Sequence, residues 1–164
     1  MHTIRDTVSY HEAGHAVVSW ALGVELIHVF VGDLDGKVTG IATPIYLFDP
    51  PDFLSLSDWN KLEKKALILL AGELAECAYN ELRDEDVNDE YLAFYDRRDL
   101  AELLKLYGEH EYPPIDMSEQ ALRTKTNKLI EKHWCQIEAL ATALMKNGVM
   151  SGHEAIKIIE SIKL

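Results

Sequence analysis

His11 and His15 stand four residues apart, with Glu12 beside the first and Gly14 beside the second. Residues at that spacing share one face of an α-helix, so the pair constrains residues 11–15 to helical geometry if the two imidazoles are to act together. The flanking sequence agrees. Thr7 or Ser9 can cap a helix start, Val8, Val17, Val18, Ala21 and Leu22 supply apolar positions, and Gly23 supplies a stop.

Beyond this helix the pattern changes. A β-branched run from Val24 to Val31, a turn over Gly32-Asp33-Leu34-Asp35-Gly36 and a second run from Lys37 to Thr43 read as a hairpin. Phe48 to Phe53, with Pro50-Pro51 at its centre, reads as a loop. A long helix is expected from a cap near Ser57 or Asp58 to about Asn80, with Leu62, Ala66, Leu69, Leu70, Leu74 and Ala78 on its buried face. An acidic loop over Asp84 to Glu90 precedes a shorter helix carrying Leu100, Leu103, Leu104 and Tyr107, which ends before Pro113-Pro114. Ser118 opens another long helix that runs through Leu122, Leu129, Ile130, Trp134, Ile137, Leu140 and Leu144 to Gly148. Ser151 and Glu154 form a capping box for the last helix, which ends near Lys163. The expected fold class is mainly α with a small β-hairpin or sheet. The expected organisation is a single domain over 1–164, with the site helix and hairpin in 7–44 and a helical remainder in 57–163.

The net charge of −12 and the absence of a basic patch argue against nucleic acid as a partner. The longest nearly apolar run, Ala16 to Val24, falls far short of the roughly 18 residues of a membrane span, and the N-terminus does not read as a signal peptide. Cys77 and Cys135 are expected as two buried free thiols in a reducing, cytoplasmic setting. Asp84 to Asp89 mimics the start of a calcium loop. Asp89 occupies the position that needs Gly, however, and Tyr95 that of the bidentate Glu, so a solvated acidic loop is expected. His28, His110, His133 and Trp134 read as structural residues.

His11-Glu12-Ala13-Gly14-His15 carries the chemistry. Two imidazoles on one helix face can bind one tetrahedral Zn2+ at about 2.0–2.1 Å. Glu12 lies beside the metal but off the ligand axis, where it can take a proton from attacking water and pass it to a leaving amine. Gly14 costs the helix about 1 kcal/mol relative to Ala, and its missing side chain would let another element come close. Two histidines leave a catalytic zinc one protein ligand short. The hairpin fills the window just downstream, so the third ligand must come from farther along, and Glu73, Glu76, Asp96 and Asp99 are the candidates.

Tyr10-His11-Glu12-Ala13-Gly14-His15-Ala16-Val17-Val18 resembles the start of the peptidase domain of the FtsH family of ATP-dependent zinc proteases. The resemblance continues through Gly36 to Gly40, Leu70-Ala71-Gly72-Glu73-Leu74-Ala75-Glu76, Arg98-Asp99-Leu100 and the C-terminal helix pair around Met150 to Glu154, over roughly residues 8 to 162. It implies an FtsH-type zinc peptidase fold, with His11, His15 and Asp99 as zinc ligands and Glu12 as catalytic base. Arg98 stands where the family has Asn. Only ten residues precede His11, so the family's preceding ATPase module and membrane segment are missing from this sequence and no ATP hydrolysis is expected of it.

From the residues alone, Asp99 adjoins apolar Leu100, whereas Asp96 adjoins the Arg97-Arg98 pair and is expected to face water. Glu76 is expected either to ligate or to hold a histidine ring. The leading expectation is a zinc endopeptidase acting on unfolded polypeptides or peptides, with room for a homo-oligomer and for a separate ATPase partner. The alternative is a non-catalytic zinc-stabilised domain that associates with a full-length FtsH-like protease. The Val38 to Thr43 run is a candidate edge strand on which a peptide could align.

Overall fold

A computed structural model describes residues 3–45, 55–82, 93–108 and 113–163. The loop over Phe48 to Phe53, the acidic stretch Asp84 to Glu90 and His110 lie outside them. The described residues form α1 (Ile4–Ala21), β1 (Leu26–Leu34), β2 (Lys37–Pro44), α2 (Leu56–Glu81), α3 (Phe94–Gly108), α4 (Glu119–Lys132), α5 (Trp134–Asn147), β3 (Val149–Ser151) and α6 (Gly152–Ser161). The architecture is mainly helical with one small antiparallel sheet.

α1 begins a turn earlier than the sequence indicates. Thr3 is the cap, and it exchanges bonds with Asp6: the Asp6 N–H donates to Thr3 Oγ1, and the Thr3 N–H donates to the Asp6 carboxylate at 2.9 Å. Thr7 and Ser9, the expected caps, are instead buried inside the helix, where the Ser9 hydroxyl donates to the Arg5 carbonyl at 2.7 Å. Every residue from Thr7 to Ser19 is buried. α1 is therefore a central helix enclosed on all sides rather than an amphipathic surface helix, and α2, α5 and the sheet supply its walls.

The hairpin turn is tighter than expected. β1 extends to Leu34, and the two-residue loop Asp35-Gly36 has positive φ at both positions, the geometry that matches the strand twist. A third strand, absent from the sequence reading, comes from the far end of the chain. β3 pairs with β1 through Val29 and Met150, giving the order β2-β1-β3. β2 is thus an outer strand.

Ser55, not Ser57 or Asp58, caps α2, and Asp58 completes its capping box. The expected single helix from Ser118 to Gly148 is interrupted at His133, whose φ of −110° and ψ of 20° turn the chain between α4 and α5. His133 is buried there, with its Nδ1 bonded to Gln136 Oε1 at 2.9 Å and its ring edge-on to Trp20. The Ser151–Glu154 capping box of α6 is present as read.

Two apolar clusters result. One surrounds α1 and includes Val17, Val18, Val29, Ile68, Ile137 and Leu140. The other joins α2, α3 and α4 through Trp59, Leu62, Leu70, Leu100, Leu103 and Leu122. Leu22, Leu74 and Leu129 pack against both. Burying each such side chain stabilises the fold by about 1.5–3 kcal/mol. Cys77 and Cys135 are free thiols but exposed, not buried, because each falls on the outer side of its helix. No described helix is long and apolar enough to cross a membrane.

Candidate metal centre

The two imidazoles of α1 point their Nε2 atoms at one spot. These atoms are 3.1 Å apart, and Asp96 Oδ2, from the first turn of α3, lies 3.1 Å from each. Three ligand atoms on two helices thus form a nearly equilateral triangle. His11 and His15 are 2% and 7% exposed, so the triangle sits in the protein interior near its surface rather than on it.

The opposite nitrogens of both rings are occupied. His11 Nδ1 bonds Glu76 Oε2 of α2 at 3.2 Å, and His15 Nδ1 donates to the Ile68 carbonyl at 2.7 Å. A proton on each Nδ1 leaves each Nε2 lone pair turned toward the triangle, the tautomer a metal requires.

The floor of the site is Gly72. A Cβ on it would fall 2.3 Å from His15 Nε2 and 2.6 Å from His11 Nε2. One turn of α1 away, Gly14 packs directly on α2, where a Cβ would meet the Ala71 carbonyl oxygen at 2.5 Å. The two helices cross close enough for α2 to support both rings.

Glu12 faces the other way, against β2. A Cβ on Gly40 would lie 2.4 Å from Glu12 Cγ, and the Ala42 N–H donates to the carboxylate. The register accounts for this contact. A two-residue hairpin loop closes on a hydrogen-bonded pair, Leu34 with Lys37, so Thr39 and Ile41 bond to β1 while Val38, Gly40 and Ala42 turn their backbone groups outward.

The charges are unbalanced for a site without a cation. Glu12, Glu76 and Asp96 surround two imidazoles. Burial opposes a charge on His11, but bonds to Asp96 and Glu76 and the nearby Glu12 push its pKa up to about 10. Burial also opposes the Asp96 charge, and the two imidazoles outweigh it, holding this carboxyl far below the usual carboxylate range. Burial pushes the Glu12 carboxyl up.

This residue set fits a divalent metal. A tetrahedral ion bound at about 2.0–2.1 Å sets its ligand atoms about 3.3 Å apart, and the observed edges are 3.1 Å. The donors, two imidazole nitrogens and one carboxylate oxygen, are a zinc-type set that leaves a position open.

His11, Glu12 and His15 come together as the spacing demands. Asp99 does not join them. Its side chain is 44% exposed and paired with Arg98 at 2.9 Å, away from the imidazoles. Asp96 takes the place expected of Asp99 because it lies four and seven residues before Leu100 and Leu103, the buried face of α3. Asp99 is only one residue from Leu100 and points about 100° away. The period Asp96-Leu100-Leu103 was the available signal. Glu73 lies outside the triangle, held by Arg97 and Arg123. Gly72 and Gly40 carry no chemistry of their own and were not singled out as site residues.

No family model matches the chain. One similar curated protein is the ATP-dependent zinc metalloprotease FtsH of Magnetococcus marinus, 37% identical over 73 residues. The match covers 44% of this chain and 10% of that protein, so the chain spans only a small part of the relative's length.

Proposed function

We propose that the chain is a zinc endopeptidase domain in which His11, His15 and Asp96 hold the metal and Glu12 is the general base. The observation that carries this reading is the triangle of His11 Nε2, His15 Nε2 and Asp96 Oδ2 above Gly72, with Glu12 beside it but outside it. The partial likeness to an FtsH metalloprotease supports the same chemistry.

Zinc held there supplies a Lewis acid that lowers the pKa of water towards about 7. The protein's own residues do the rest. Glu76 and the Ile68 carbonyl fix the imidazole tautomers. Glu12, with its pKa raised by burial, accepts a proton from the attacking water and returns it to the amide nitrogen as the C–N bond breaks. The Ala42 N–H holds the Glu12 carboxylate in place. An extended, unfolded peptide aligns along the outer edge of β2, where the backbone of Val38 and Gly40 faces outward beside Glu12. Such pairing reads backbone rather than side chains and fits a substrate without folded structure.

The test is a protease assay on an unfolded protein with added zinc and no ATP, comparing wild type with Glu12→Gln. Wild type should cleave. Glu12→Gln should keep its zinc and lose about 10²–10⁴ in rate. Equal activity in the two would remove Glu12 from the mechanism, and a zinc-loaded wild type that cleaves nothing would favour a structural metal domain.

A further inference from the structure

Glu73 occupies a position that the proposed reaction does not use. It follows Gly72, the floor of the metal site, and precedes by three residues Glu76, which holds His11. Its side chain is only 13% exposed, yet two guanidinium groups reach it. Arg97 Nε of α3 donates to Oε2 at 3.1 Å, and Arg123 of α4 donates to Oε1 at 3.3 Å. Arg123 is itself steadied by Glu119 at 2.9 Å. Burial disfavours the Glu73 charge, but the bonds and charges of Arg97 and Arg123 outweigh it and lower its pKa.

Arg97 directly follows Asp96. Two links therefore span the same gap between α2 and the first turn of α3: Asp96 to the imidazoles above Gly72, and Arg97 to Glu73 next door. The remaining ties of α3 to α2 include Leu100 and Leu103, and apolar contact is non-directional. It holds α3 near α2 without fixing its roll. A charge-assisted hydrogen bond has a set direction. Neighbouring helical residues are about 100° apart, so pinning Arg97 on Glu73 turns Asp96 toward α1.

We propose that the Arg97–Glu73–Arg123 clamp sets the roll of α3 and so presents Asp96 to the metal. Arg97 is a positioning residue, acting through Asp96. The inference rests on the metal reading above.

Its test exploits opposite signs. Removing a cation near a metal site should tighten metal binding by electrostatics alone. Loss of positioning should weaken it instead, and partners that orient ligands typically change metal affinity about 10–100-fold. Zinc alone is the probe, with affinity read by competition with a chromophoric chelator. Arg97→Ala and Arg97→Gln should bind zinc about 10-fold more weakly than wild type, with melting temperature little changed because Arg97 is itself half exposed and Arg123 still pairs with the Glu73 carboxylate. Arg97→Lys should recover part of the loss. In an Asp96→Ala background, Arg97→Ala should cause no further loss.

Zinc affinity that is unchanged or higher in both Arg97→Ala and Arg97→Gln would overturn the proposal, as would a loss that persists without Asp96. A wild-type protein that takes up no zinc would overturn the metal reading itself, a result distinct from either.

Discussion

Glu76 and His11 are 65 residues apart in the chain, yet the Glu76 carboxylate accepts a hydrogen bond from the His11 ring at 3.2 Å, with both groups buried. The bond decides which nitrogen of His11 faces the site. Glu76→Ala should lower zinc affinity about 10–100-fold. Glu76→Gln keeps an acceptor oxygen and should lose less. Chelator competition on both variants measures the difference, and equal, wild-type affinity in both would show that His11 needs no such partner.

Asp96 and Asp99 make opposite predictions. Asp96→Ala removes one corner of the triangle and should leave His11 and His15 binding zinc only weakly, with less than one equivalent surviving purification. Asp99→Ala removes only an exposed pair with Arg98, of a kind that contributes little to stability, and should keep its zinc. Elemental analysis of the two purified variants decides. Zinc retained without Asp96 and lost without Asp99 would reverse the assignment.

Two glycines should separate metal binding from turnover. A methyl at Gly72 enters the space of both Nε2 atoms, so Gly72→Ala should lose zinc. A methyl at Gly40 meets only Glu12 among its nearest atoms. Gly40→Ala should keep zinc and lose roughly 10² or more in rate, the scale of a displaced general base. The comparison needs zinc content and kcat on the same preparations.

Proton linkage gives a further check. In the metal-free protein His11 has its pKa pushed up to about 10, so it is charged at neutral pH. Metal binding needs that nitrogen free. Zinc uptake near pH 7.5 should therefore release about one proton, measurable by calorimetry in buffers of different ionisation enthalpy. For stability the raised pKa works in the usual direction of a histidine with partners. Its contribution is complete below the unfolded value near 6.5 and is lost as pH rises through about 10. Metal-free protein should thus melt at lower temperature at pH 10 than at pH 7.

The helix that carries His11 and His15 was legible in the sequence because its signal is local: four residues on a helix bring the two imidazoles to one face whatever surrounds them. The hairpin and the α6 capping box were legible for the same reason. The third corner was not, because choosing between Asp96 and Asp99 depends on the roll of α3, which Leu100, Leu103 and the bond from Arg97 to Glu73 determine together. The break at His133 carries no Gly or Pro and arises where a buried ring meets Trp20 and Gln136. β3 is three residues long, too short for alternation to show.

The enclosure of α1 has a consequence for synthesis on the ribosome. α1 ends at Ala21, whereas α5, one of its walls, begins at Trp134. At ~5–20 residues per second the intervening 110 or so residues take roughly 6–20 s to emerge. For that interval Val17 and Val18 have no Leu140 or Ile137 to cover them, and for its earlier part the two histidines are in the open without Glu76 or Asp96. The nascent chain therefore passes through a stage in which an apolar helix and its two histidines stand uncovered, before the elements that enclose them have been made.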